Sequence, residues 1–168
     1  MRTDGRHRDD VRVWSLEESL RIEADPEALY RLVSDLRNMG RWSPECRRIW
    51  VSRPPVRAGG RFVGFNRRGP FLWFTVGRIT TARAGAEFAF DVAVFGLPIA
   101  RWGYRFERDG TGTLVTETWQ DLRTGRGAWL ATLLGTVFAG TDPARRIAVN
   151  RAGMRTTLAR IAHEAHAP

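Results

Sequence analysis

The sequence predicts an α+β domain: a curved antiparallel sheet packed against one long helix near the C-terminus. Three observations predict it. Between residues 47 and 122 short, apolar-rich segments follow one another, separated by turns such as Arg68-Gly69-Pro70 and Asp109-Gly110, which is the pattern of hairpin-linked strands. From 142 to about 163, Ile147, Asn150, Met154, Leu158, Ile161 and Ala165 recur at steps of three and four and share one helical face. No other stretch is long enough to cover the apolar face of such a sheet.

Taken in order, residues 1–10 (MRTDGRHRDD) are charged, lack hydrophobic periodicity and are expected to be a disordered tail before a single domain over 11–166. Val13, Leu16, Leu20 and Ile22 fit a first strand over 11–23. Asp25, Pro26 and Glu27 read as a cap, a first helical residue and an acidic first turn, followed by Leu29, Tyr30, Leu32, Val33 and Leu36 at helical spacing. Pro44 disfavours helix at Ser43, so a second helical turn is confined to 38–42. Strands are then expected at 49–52, 61–66, 71–80, 87–95, 99–108 and 113–122, and a linker helix at 128–138. In the final helix Thr141 and Asp142 offer capping oxygens and Pro143 sits where a missing N–H costs nothing. Arg145, Arg146, Arg151, Arg155 and Arg160 make its wet side, and Gly153 admits a close neighbour.

Alternation assigns the inward side chains. Phe88, Phe90, Val92 and Val94 share one face, as do Trp102, Tyr104 and Phe106, and as do Val115, Glu117, Trp119 and Asp121. If Val115 and Trp119 point inward, so does Glu117, and a carboxylate under an apolar roof must be paired, protonated or bound to a ligand. The plainer reading gives Glu117 an Arg partner or the opposite register. Trp73 is assigned inward, Asn66 and Asn150 are candidate polar anchors, and the turns at 57–61 and 96–98 are candidate gates. Trp42 reads either as a cavity lid or as core, and Cys46 as a buried, inert thiol.

Composition removes several classes of chemistry. One cysteine allows no internal disulfide and no cysteine-rich metal site, and the three histidines lie near the termini, so His-based triads and metal centres are not expected, nor is any cofactor. The opening residues lack the apolar core of a secretory signal and the most apolar run, 129–139, is too short to span a bilayer, so a cytoplasmic protein is expected. All 27 basic residues are arginine, which reads as codon bias, and the formal charge is +9. Because arginines occur in every segment, a generic solvated basic surface is expected, with no specific nucleic-acid partner and at most peripheral membrane contact.

Several stretches carry a family resemblance. They are Val33-Ser34-Asp35 through Met39-Gly40-Arg41-Trp42-Ser43-Pro44-Glu45; Gly60-Arg61-Phe62 through Asn66-Arg67-Arg68-Gly69-Pro70 to Trp73; Arg101-Trp102-Gly103-Tyr104; Val115-Thr116-Glu117; and Asn150-Arg151-Ala152-Gly153-Met154. The sequence resembles the bacterial polyketide cyclase/dehydrase and lipid-transport-like proteins of the START-related (SRPBCC) helix-grip superfamily. The resemblance implies a seven-stranded antiparallel sheet wrapped around the terminal helix, with a cavity that in relatives holds lipids, sterols or polyketides. It transfers no catalytic set.

Two functions are therefore expected to compete. One is binding of a hydrophobic or aromatic small molecule between sheet and helix, by Trp42, Asn66, Trp73, Phe88, Phe90, Trp102, Tyr104, Glu117, Trp119, Asn150 and Met154, in a monomer or homodimer. The other is a polyketide cyclase or dehydratase in which Glu117, Tyr104 or Asp121 supplies acid or base. The third is a structural or interaction protein with a collapsed, filled core, or a membrane-surface lipid carrier using its basic exterior.

Overall fold

In a computed structural model describing residues 15–52, 56–123 and 143–166, these described residues form seven strands and three helices. The expected tail, the linker helix at 128–138 and the capping residues Thr141 and Asp142 lie outside the described residues. The elements are β1 (Ser15–Ile22), α1 (Pro26–Ser34), a 3₁₀ turn (Leu36–Asn38), α2 (Met39–Trp42), β2 (Cys46–Val51), β3 (Arg61–Arg68), β4 (Phe71–Arg83), β5 (Glu87–Val94), β6 (Leu97–Asp109), β7 (Gly112–Asp121) and α3 (Pro143–Ala165). All pairings are antiparallel and the strand order is β1-β7-β6-β5-β4-β3-β2, so β2 to β7 form a meander that β1 extends beside β7. This is the α+β helix-grip arrangement.

Local chemistry sets the boundaries. The Asp25 carboxylate accepts the Glu27 amide at 2.9 Å and Pro26 opens α1, as the cap pattern requires. The helix stops at Ser34, two residues before its periodicity does, because Asp35 leaves helical geometry and Leu36 begins the 3₁₀ turn. β2 starts at Cys46, earlier than alternation suggested, because a register shift between Cys46 and Arg48 breaks the two-residue period that would have revealed it. Gly77 is fixed by packing: a Cβ there would fall 2.1 Å from the ring of Phe62, which lies across the strand and meets Phe90 edge-on at 5.3 Å.

The core divides along the length of α3. Around its C-terminal half, Leu158 and Ile161 join Ile22, Leu29, Val33, Phe88 and Phe106 in one packed cluster. Tyr30 of α1 closes this end with edge-on contacts to Phe88 and Phe106 at 6.2 and 6.0 Å. Nearer the N-terminal half, Met154 packs with Leu16, Ala100 and Trp119. Glu18 of β1 holds α3 from outside through Arg151 at 3.3 Å and Arg155 at 2.9 Å. Such exposed pairs fix orientation more than they stabilise.

Candidate functional site

Between sheet and helix, toward the end where the β3–β4 and β5–β6 hairpins turn, lies a pocket of about 500 Å³. β2 to β7 supply its curved wall because their inward residues alternate with outward ones, and the N-terminal half of α3 roofs it. Asn66, Trp73, Phe90, Trp102, Tyr104, Glu117 and Trp119 lie on this wall, and Asn150 and Met154 on the roof. Two candidates lie on neither. Trp42 is fully buried in the packed cluster, with its carbonyl accepting from Arg160 at 3.4 Å, and Phe88 is sealed beneath Tyr30. Both follow the correct face but sit where α1, α2 and the C-terminal half of α3 leave no gap.

A buried carboxyl–phenol pair lines the pocket. The Tyr104 hydroxyl donates to Glu117 Oε1 at 2.9 Å, across a directly paired position of β6 and β7. Glu117 is 3 % exposed and its Oε2 has no hydrogen-bond partner. It therefore has neither the Arg partner nor the outward register of the plainer sequence reading. Burial pushes its pKa up to about 8, with the Tyr104 hydrogen bond pulling the other way. Near neutrality the carboxyl is mostly protonated: Oε1 accepts from tyrosine, and the proton on Oε2 is available to an acceptor in the pocket. Burial and the neighbouring Glu117 raise the Tyr104 pKa well above its ordinary value, so the phenol stays a donor. Cys46 is also on the wall, but burial lifts its thiol to about 11 and leaves it unreactive.

Two amides add further polar points. Asn66 donates weakly to the Gly64 carbonyl and Thr75 hydroxyl, each at 3.4 Å. Asn150, buried on α3, lines the pocket as well. Beside it, a Cβ added at Gly153 would meet only Pro44, at 3.6 Å, an ordinary contact.

Sequence reasoning missed the rim. Arg146, assigned to the wet side of the last helix, grips Glu45 with two hydrogen bonds at 3.0 and 2.6 Å and stands 6.0 Å over the Trp73 ring. Arg68 approaches the same carboxylate at 3.9 Å. The spacing Arg146, Asn150, Gly153, Thr157 places all four on the pocket side of α3, a pattern visible in the sequence but obscured by the charge of its first member. Asp121, weighed as an acid or base, is instead held by Arg123 at 2.9 and 2.7 Å. Of the turns considered as gates, residues 57–61 contribute nothing to the described wall, whereas Val94 and Ile99 flank the 96–98 turn and do.

Breaking the rim gives a direct test of its role. Arg146→Ala should speed the exit of a bound fluorescent apolar probe roughly tenfold, the worth of one charge-assisted pair, while stability changes by no more than about 1 kcal/mol. Stopped-flow displacement measures this, and an unchanged exit rate would show that the rim is no barrier.

Among the described residues no group of three His, Cys, Asp or Glu side chains is placed to hold a metal, and no helix is long and apolar enough to cross a membrane. A family model described as polyketide cyclase/dehydrase and lipid transport matches residues 13–164. The chain belongs to this family. No curated protein matches the sequence. Among solved structures, this member of the family is similar to the polyketide-cyclase-like protein Cgl2372 from Corynebacterium glutamicum, with 28% identity, a TM-score of 0.57 and 87% and 88% of the two chains covered. It shares its fold with protein CV1439 from Chromobacterium violaceum, at 14% identity, TM-score 0.63 and coverage of 92% and 98%. It also shares it with the di-domain ARO/CYC BexL of the BE-7585A biosynthetic pathway, at 15% identity and TM-score 0.65, covering 92% of this chain and 50% of that one. Membership points to a hydrophobic ligand-binding cavity as the site of function.

Proposed function

We propose that this member of the polyketide cyclase/dehydrase and lipid-transport family binds a hydrophobic or aromatic small molecule, of lipid, sterol or polyketide type, in the pocket between sheet and α3. The observation that carries the reading is a largely apolar pocket of about 500 Å³ lined by a buried carboxyl oxygen, Glu117 Oε2, that has no protein partner. That volume suits a drug-sized ligand, and convergence of a few polar groups on an apolar wall is what such sites share. A protonated carboxyl favours a ligand presenting a neutral acceptor, such as a ketone or hydroxyl, over one presenting a carboxylate. Trp102, Trp119 and Phe90 supply flat surfaces for rings.

A second reading, a cyclase or dehydratase, is favoured by one specific observation: Glu117 is inward, without an Arg partner, and joined to Tyr104. An acid in that position can donate a hydrogen bond to a ligand carbonyl and so acidify the carbon beside it.

Native mass spectrometry of freshly purified protein, followed by extraction, tests the binding reading. A co-purifying apolar molecule, or retention of one class from a panel of lipids, sterols and aromatic polyketides, is expected. An empty protein that retains none of the panel would refute it. Incubating any retained polyketone and following its conversion separates the two readings: turnover lost in Glu117→Gln while binding persists marks an enzyme, and binding without turnover marks a carrier or sensor.

A further inference from the structure

The arginines are spread along the chain, but the net charge is not. Between Glu45 and Glu87 there are nine arginines and no carboxylate, so this stretch alone carries the whole formal charge of +9, and the remaining 18 arginines and 18 acidic residues cancel. The stretch contains β2, β3 and β4, which together form one edge of the sheet. The basic surface is therefore uneven: the acids are segregated away from one stretch of the chain.

Register places these residues side by side. On the face turned away from α3, Arg48 lies across from Phe65, Trp50 from Val63, Phe65 from Phe74, and Arg61 directly across from Arg78. Two guanidinium groups facing each other across a ladder repel. Arg48, Arg61 and Arg78 have no carboxylate partner among the described residues, and the carboxylate opposite Arg78, Asp91, is taken by Arg101 at 2.7 and 3.0 Å. Between them stand apolar side chains that a solvated sheet face does not need: Trp50 is 59 % exposed, Leu72 67 % and Phe95 62 %.

The most exposed of these, Leu72 and Phe95, occupy the ends of the β3–β4 and β5–β6 hairpins. Phe95 holds a left-handed backbone, φ 49°, in the two-residue turn with Gly96, a position suited to Asn or Gly and strained for an aromatic. Its ring meets Phe74 edge-on at 5.6 Å.

We propose that the outer face of β2–β3–β4, with the tips of the two hairpins, docks on an anionic lipid bilayer. Arginines without carboxylate partners meet headgroup charge, aromatic rings sit at the interface and the apolar tips enter the acyl boundary. A second copy of the chain is a poor occupant, because it would bring the same acid-free surface to the contact. Single-stranded nucleic acid fits less well, because the most exposed residue, Leu72, cannot stack on a base, and Phe74 and Phe95 stand edge to face rather than as a platform. The docking stands whether or not the pocket holds a ligand, although the β5–β6 hairpin also carries Val94 and Ile99 of the pocket wall.

Vesicle flotation of the full chain tests this. Vesicles of phosphatidylcholine with about one-third phosphatidylglycerol should carry the protein at low salt, pure phosphatidylcholine should carry little, and added salt should release it within the screening range. Arg48→Ser/Arg61→Ser/Arg78→Ser should weaken partitioning roughly a hundredfold, whereas Arg37→Ser/Arg105→Ser/Arg155→Ser, with equal loss of charge elsewhere, should weaken it far less. Phe95→Asn is the sharpest variant: relief of the turn should raise the melting temperature while partitioning falls. Equal effects of the two triple variants would overturn the proposal, as would Phe95→Asn partitioning undiminished. Failure of the native protein to float with anionic vesicles would do so too, whether it then retards a single-stranded oligonucleotide, self-associates through this face or does neither.

Discussion

At pH 8.5 Glu117→Gln should melt about 10 °C above the native protein, and at pH 5 at nearly the same temperature. Burial lifts the Glu117 pKa from 4.5 to about 8. A raised folded-state pKa means that the native state holds its proton where the unfolded chain has released it. The associated stability is complete below the unfolded value near 4.5 and is lost progressively as pH rises through the folded value near 8. The whole loss is on the order of 5 kcal/mol. Glutamine keeps an acceptor for the Tyr104 hydroxyl and has no proton to lose, so its stability should be flat across this window. Melting curves at several pH values measure the effect. A Glu117→Gln variant that tracks the native protein at every pH would show that the carboxyl is solvated or neutralised by a cation.

Phe88→Ala and Trp102→Ala should separate filled core from pocket wall. Phe88 is completely buried, with Tyr30 and Phe90 rings against it, and its truncation should cost roughly 3–5 kcal/mol with no change in which ligands are retained. Trp102 lies between Phe90 and Trp119 on the neighbouring strands, but one side faces the pocket, where there are no partner atoms to lose. Its truncation should cost about half as much or less and shift retention toward bulkier molecules. Denaturant melts and the ligand panel read both. If Trp102→Ala costs as much as Phe88→Ala and leaves ligand size preference unchanged, the interior there is packed and the pocket assignment is wrong.

The inward faces of β5, β6 and β7 were legible because a two-residue period survives wherever pairing is regular; Phe90, Tyr104 and Glu117 needed nothing else. Position along the strand was not. Phe88 and Phe90 share a face, yet α1 seals one and the pocket exposes the other, and only the docking of Tyr30 decides which. Trp42 is ambiguous for the same reason. The Glu45–Arg146 pair joins residues 101 positions apart, on a loop and a helix whose meeting no local pattern encodes. The acid-free stretch from 46 to 86 is legible in the sequence as a difference between arginines and carboxylates, which the even spread of arginines alone conceals.

β1 and β7 are hydrogen-bonded neighbours although Ser19 and Thr116, which share a hydroxyl contact, are 97 residues apart. A ribosome adding residues one at a time therefore leaves β1 without its partner for roughly 5–20 s, while the β2–β6 hairpins can close as they emerge. α3 follows every strand. Until it arrives the aromatic wall of the nascent sheet, Phe90 and Trp102 included, lies open to solvent, and the surface that the helix will later cover is the one most exposed to aggregation during synthesis.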